Sequence, residues 1–210
     1  MTTATTLYTA DALILAPPAS GPGQAAPITP AAVAAIIAAR PNGQYVPIDI
    51  LTIVRGYADT CAAAGVDPYL VLAQLLHETA WLDSWWSQRP RRNPAGIGVT
   101  GRHWRGMPPV RSISVAERDG IWYEGVSFAS WTAHAIPAHV GRLLAYALPP
   151  NAGTAVQQRL VRVALVVRPL PASHRGAAPT LRGLGGRWAV PGQGYADKIA
   201  DIANTLRGVE

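Results

Sequence analysis

From Thr29 to Ala80, small and branched apolar side chains recur at helical spacing, interrupted twice by turn-forming residues. Thr29-Pro30 pairs an N-cap residue with a first-turn proline, and residues 31–40 continue as a helix that Pro41-Asn42-Gly43 stops. A second helix is predicted over about 48–64 and closed by Gly65; a third opens at Asp67-Pro68 and covers about 69–80. The pattern then changes. Between about Arg89 and Phe128, Gly, Pro and Arg cluster, and apolar runs shorten to Gly96-Ile97-Gly98-Val99 and Ile121-Trp122-Tyr123. Loops with one small hairpin or sheet are expected there. Helical spacing returns over about 130–146, where Pro137 should kink or split the helix, and again over about 153–167 and 193–207. A Pro and then Gly/Arg loop separates the last two.

Residues 1–28 lie outside this pattern. They are rich in Thr, Ala, Pro and Gly, end in Pro17-Pro18-Ala19-Ser20-Gly21-Pro22-Gly23-Gln24, and read as an N-terminal arm ahead of one domain over 29–210. A chain of 210 residues with 49% hydrophobic residues can bury one sizeable core. Residues 1–11 carry no Lys or Arg, and Leu13-Ile14-Leu15-Ala16 is too short for the apolar centre of a signal peptide. No stretch reads as a membrane span. Cys61, the only cysteine, sits in an Ala-rich helical context and reads as a buried small residue; one cysteine excludes an intrachain disulfide.

Charge is sparse and uneven. Two basic and five acidic side chains precede Trp81, whereas sixteen basic and seven acidic ones lie from Trp81 on, together with all seven tryptophans. A basic, Trp-rich half suits an anionic polymer such as a cell-wall glycan, a teichoic acid or a nucleic acid, or it serves solubility with the rings in the core. Nucleic acid is the least supported, because the arginines are scattered through loops without a binding motif.

The third helix carries the candidate chemistry. Val71, Leu72, Leu75 and Leu76 form its apolar side, and Glu78 falls at the edge of that side, four residues after Gln74. A carboxyl facing a cleft there would be partly desolvated and stay protonated near neutral pH, as a general acid requires. The other reading is a solvated last-turn Glu, in a position where the helix dipole disfavours acids. His77-Glu78 lacks the second histidine of a zinc-binding helix, since Trp81 occupies that position. His103, His134, His139 and His174 read as structural or surface residues, and no metal or organic cofactor is implied.

Four segments, in order, resemble the bacterial glucosaminidase family of peptidoglycan hydrolases. Ala73-Gln74 with His77-Glu78-Thr79-Ala80-Trp81 is similar to its acid-bearing helix, and Asn93-Pro94-Ala95-Gly96-Ile97-Gly98 to its Asn-rich turn. Ser127-Phe128-Ala129-Ser130-Trp131 resembles a stretch preceding a helix, and Tyr195-Ala196-Asp197-Lys198-Ile199 resembles the closing helix. The chain departs from the family pattern at His77, Thr79 and Pro94 and in the run 85–92. The resemblance implies an α+β, mainly α, lysozyme-like fold, with a β lobe over about 89–128 and a substrate cleft between lobe and helical body.

It also implies hydrolysis of the β-1,4 bond of the glycan strand, with Glu78 as general acid. The second carboxylate maps best onto Glu117, within Ser114-Val115-Ala116-Glu117-Arg118-Asp119-Gly120, with Asp119 and Glu124 close by; a solvated turn acid is the other reading of Glu117. Tyr195 would contact sugar or transition state, or anchor its helix. Gln74, Trp81, Asn93 and Trp131 are the implied sugar-binding residues. Two alternatives stay open: a lytic transglycosylase of the same fold, and a non-catalytic wall-binding or structural component of a phage tail or injection particle. A wall-acting protein without a signal peptide would need a phage, a particle or another non-Sec route.

Overall fold

The protein is described by a computed structural model covering residues 7–15, 28–106, 108 and 114–208. Its architecture is α+β and mainly α. Seven α-helices are present among the described residues: α1 (Pro30–Ala38), α2 (Pro47–Ala64), α3 (Pro68–Glu78), α4 (Ile136–Ala147), α5 (Ala155–Val167), α6 (Leu181–Leu184) and α7 (Tyr195–Arg207). Between α3 and α4 lies an antiparallel sheet of β1 (His103–Arg105), β2 (Val115–Arg118) and β3 (Ile121–Glu124), with β3 in the centre. Among the described residues no helix is long and apolar enough to cross a membrane.

The helices start and stop where local chemistry demands. Asp67 accepts a hydrogen bond from the Tyr69 amide at 2.9 Å and Pro68 occupies the first turn of α3, so both conditions for a helix start are met. Gly65 closes α2 in the left-handed region at φ 62°, which glycine adopts without strain. The helical backbone expected over 130–146 is continuous, with Ala135 and Ile136 both right-handed helical, but its first turn is not an α-turn. Trp131–Ala135 forms one π-helical turn, and Pro137 then sits in the first turn of α4, where its missing N–H costs nothing. Sequence pattern missed α6, which is too short to show a period.

α3 is the centre of the body, with every residue from Tyr69 to Leu76 buried. Its main neighbour is α7, while α4 lies along α5. Gly141 makes that second approach possible, since a Cβ there would collide with the main-chain carbonyl of Leu160. Gly141→Ala is therefore expected to force α4 and α5 apart. The cost should be about 3 kcal/mol, the upper end for overpacking. A thermal melt should show a Tm lower by roughly 6–12 °C.

Within the expected N-terminal arm, residues 7–15 are packed onto the body. Leu13 and Leu15 make antiparallel bridges to Thr180 and Val66, and Ile14 is buried. The Tyr8 hydroxyl donates to Asp67 at 2.9 Å, its amide donates to Asn204 at 2.7 Å, and Asp11 pairs with Arg182 at 2.7 Å. Such a segment shows no period in sequence because the partners that hold it to the body are distant ones. The Pro/Gly run 17–24 lies outside the described residues.

The β lobe is braced from one face. Trp85 packs edge-on against Trp86 and Tyr123 at centroid distances of 4.8 and 5.7 Å, and the Arg91 guanidinium lies 3.9 Å over the Trp85 ring. Gly125 leaves the space that Trp86 fills. Buried Cys61 sits in α2, where burial pushes its thiol up, away from reactivity.

Candidate active site

Glu78 is the last residue of α3, and the chain turns sharply after it. Ala80, Trp81 and Leu82 are three successive non-glycine residues at positive φ (48°, 61° and 71°), a conformation that costs roughly 1–2 kcal/mol per residue. Specific hydrogen bonds hold it. The Trp81 amide donates to Leu76 O at 2.8 Å, Asn42 Nδ2 donates to Trp81 O at 2.8 Å, and Ser87 Oγ donates to Leu82 O at 2.9 Å. The Gln88 side-chain amide also donates to Leu82 O.

Glu78 lines a cleft of about 560 Å³. One wall is the turn Ala95–Val99; the others come from His77, from Arg142 and Tyr146 of α4, from Arg168, from Arg187-Trp188-Ala189 and from Tyr195. Burial raises the Glu78 carboxyl above the usual carboxylate range, while hydrogen bonds from Tyr195 and Trp188 pull the other way. The Tyr195 hydroxyl donates to Glu78 Oε1 at 2.6 Å and receives a hydrogen bond from Gln74 Nε2 at 2.8 Å. Burial lowers the pKa of His77, whose ring stacks edge-on against Tyr195 at 5.3 Å.

Glu78 is the one acid among the described residues that line this cleft. An adjoining recess of about 280 Å³ shares Gly98 and Arg168 with it and contains Glu124, the last residue of β3. Glu124 is 9% exposed and accepts a hydrogen bond from Thr100 Oγ1 at 2.5 Å. Glu117, the better sequence match for a second carboxylate, lies elsewhere: it is exposed, and its Oε1 accepts the Gly120 amide at 2.5 Å, closing the β2–β3 turn. Asp119 sits in the same turn at φ 54°, exposed and paired with Arg118 at 3.5 Å. Sequence order placed Glu117 and Glu124 as near equivalents. The hairpin register separates them, putting one at the tip of the lobe and the other at its base.

Three of the expected sugar-binding residues serve the scaffold instead. Asn93 is 0% exposed; its amide donates to Ile97 O and Val126 O, both at 2.9 Å, and its oxygen accepts the Ala95 and Ile97 amides. With every polar atom used inside, it shapes the 95–99 wall and has nothing left for an acetamido group. Trp131 is buried, donates to the Tyr45 hydroxyl at 3.0 Å and packs edge-on against that ring. Trp81 lies outside the cleft lining, under the Arg40 guanidinium at 3.8 Å. Gln74 is buried as well, and meets Glu78 only through Tyr195.

Trp188, Arg142, Tyr146, Arg168 and Arg187 line the cleft, and sequence reading proposed none of them. Arg187-Trp188 stood in a glycine-rich loop with no period to mark it. Arg142 lay on a helix whose cleft-facing side only the packing defines. A tryptophan inside a Gly/Arg run was the one available signal.

Among the described residues, no three His, Cys, Asp or Glu side chains converge on a metal-sized site. No protein-family model and no curated protein matches the chain. Among solved structures, the catalytic domain of the autolysin Auto from Listeria monocytogenes is similar at 17% identity, with 88% of this chain and 89% of that one covered and a TM-score of 0.44. So loose a superposition does not bear on chemistry, which the side chains around Glu78 must carry by themselves.

Proposed function

We propose that the protein is a glycoside hydrolase that cleaves the β-1,4 bond of peptidoglycan glycan strands, as an N-acetylglucosaminidase with Glu78 as general acid. One observation carries the reading: a carboxyl whose affinity for its proton is raised by burial stands in an open cleft, with the Tyr195 hydroxyl donating to it and Trp188 beside it. Glu78 protonates the departing glycosidic oxygen, and these two side chains then stabilise the carboxylate left behind. Glu124, held by Thr100 in the adjoining recess, is the second acid and activates water on the opposite face of the sugar, as an inverting route requires. Trp188 offers a ring for sugar stacking, and Arg142, Arg168 and Arg187 suit the carboxylates of muramoyl residues and stem peptides.

One observation favours a second reading. The cleft proper holds a single acid among its described residues, which is enough for a lytic transglycosylase. Digestion of purified sacculi separates the two, with the soluble fragments analysed by mass spectrometry. Reducing N-acetylglucosamine ends are expected. Anhydro-muramic ends would move the protein to the transglycosylases. Binding without release, across several wall types, would sink both in favour of a wall-binding role.

A further inference from the structure

A file of buried polar groups leads away from Glu78 into the body. Gln74 on α3 donates through Nε2 to the Tyr195 hydroxyl, and its Oε1 faces His139 Nε2 on α4 at 3.0 Å. His139 is 0% exposed, and its Nδ1 lies 2.9 Å from the Tyr57 hydroxyl on α2. Tyr57, Gln74 and Tyr195 are all buried. Four elements, α2, α3, α4 and α7, each contribute one link.

The direction of every proton in this file follows from the Gln74 amide, whose Nε2 faces Tyr195 and whose Oε1 faces His139. An amide oxygen can only accept, so His139 Nε2 must carry the hydrogen that reaches Gln74 Oε1. Burial keeps the imidazole neutral, so it has one N–H and its Nδ1 is a lone pair. The Tyr57 hydroxyl must therefore donate to Nδ1. At the other end Tyr195 has a single hydrogen. Because Gln74 already donates to its oxygen, that hydrogen is left for Glu78 Oε1.

We infer that Tyr57 and His139 are positioning residues: they fix the tautomer and the amide orientation that make Tyr195 a donor, never an acceptor, toward Glu78. A Gln74 amide turned over would present its oxygen to Tyr195, draw the phenol hydrogen away, and leave a lone pair against the Glu78 carboxylate. His139 also packs against Trp188, at 6.0 Å between ring centroids, and so supports the other donor on Glu78. The role in proton donation to a glycoside rests on the function proposed above; the geometric relay does not.

The remaining groups around the Glu78 carboxyl are His77 on its own helix, Arg142 and Tyr146 from α4, Arg168 after α5 and Arg187 after α6. None of them belongs to the relay, but Arg142 and Tyr146 pack on the Trp188 ring that His139 also meets, so Tyr57→Phe at the far end is the cleaner variant.

The chain has four glutamates, which makes the carboxyl of Glu78 observable by 13C NMR in protein labelled at Glu, with Glu78→Gln providing the assignment. Its titration midpoint is expected to rise by about one pH unit in His139→Leu and by less in Tyr57→Phe, because a carboxylate that loses a donor holds its proton more tightly. His139→Gln, whose amide can donate toward Gln74, should return it toward the wild-type value. Tyr57→Phe keeps the ring, does not touch Trp188 and stands three hydrogen bonds from Tyr195, so it decides the matter if His139→Leu fails to fold. An unchanged midpoint in folded Tyr57→Phe and in any folded His139 variant overturns the relay, even if the wild type cleaves walls. A shifted midpoint in a protein that proves inactive on walls upholds the relay and removes only the glycosidase reading.

Discussion

Glu78→Gln is expected to lower the rate of glycan cleavage by about 10²–10⁴-fold, the contribution of a positioned general acid. The glutamine side chain has the same shape, its oxygen can still accept from Tyr195, and burial no longer works against a charge at this position. Thermal stability should therefore hold or rise while reducing ends from sacculi disappear, which separates loss of chemistry from loss of fold. The pH profile carries a second check. Burial raises the Glu78 carboxyl, so its protonated form persists to higher pH than a free glutamic acid would allow. Activity should fall on the alkaline side as the proton is lost. Tyr195→Phe removes a hydrogen bond to the carboxylate, so that alkaline limb should move to higher pH. Full activity in folded Glu78→Gln would remove the residue from the mechanism.

Acid sensitivity is the second large expected effect, and it traces to His139. Burial pushes this imidazole down to about 3 from the ordinary 6.5. The folded protein thus keeps it neutral over a range in which the unfolded chain takes up a proton. Its contribution to stability is fully present above pH 6.5 and is lost progressively as the pH falls toward 3. Across the whole window the loss is on the order of 5 kcal/mol, a large share of a typical domain's stability. Glu78 and Asp67 work in the opposite direction: burial raises both, so ionising them costs stability at neutral pH, and that cost is relieved as the pH falls. The histidine is isolated by comparing wild type with His139→Gln. Urea unfolding at stepped pH from 7 to 4, on the order of one unit apart, should show a steeper decline in the wild type. Parallel declines in the two proteins would contradict the assignment.

The helices of this body were legible because their signals are local. Thr29-Pro30, Asp67-Pro68 and Gly65 act on their own backbone, and α1, α2, α3, α5 and α7 lie close to their predicted spans. Glu78 was legible for the same reason: the apolar side of α3 and the end of that helix define its edge position. The π-helical turn at Trp131–Ala135 and the four-residue α6 were not, because each is too short to show a period, and residues 7–15 were not, because they are held mainly by partners far along the chain. Asn93 shows the limit from the other side. Its turn was recognised, but only the closed set of hydrogen bonds around its amide tells a wall-shaping residue from a sugar ligand.

Sequence alone therefore determined an α+β chain, its longer helices and one acid at the end of the central helix, since spacing and capping act over a few residues. Tertiary structure alone decided that acid's surroundings. Tyr195 lies 117 positions from Glu78 and His139 lies 65 from Gln74, and no local rule relates residues so far apart. It also decided that Glu124 and not Glu117 reaches the recess beside the cleft, because the register of β3 against β2 sets which of two nearby acids stands at the base of the lobe and which at its tip.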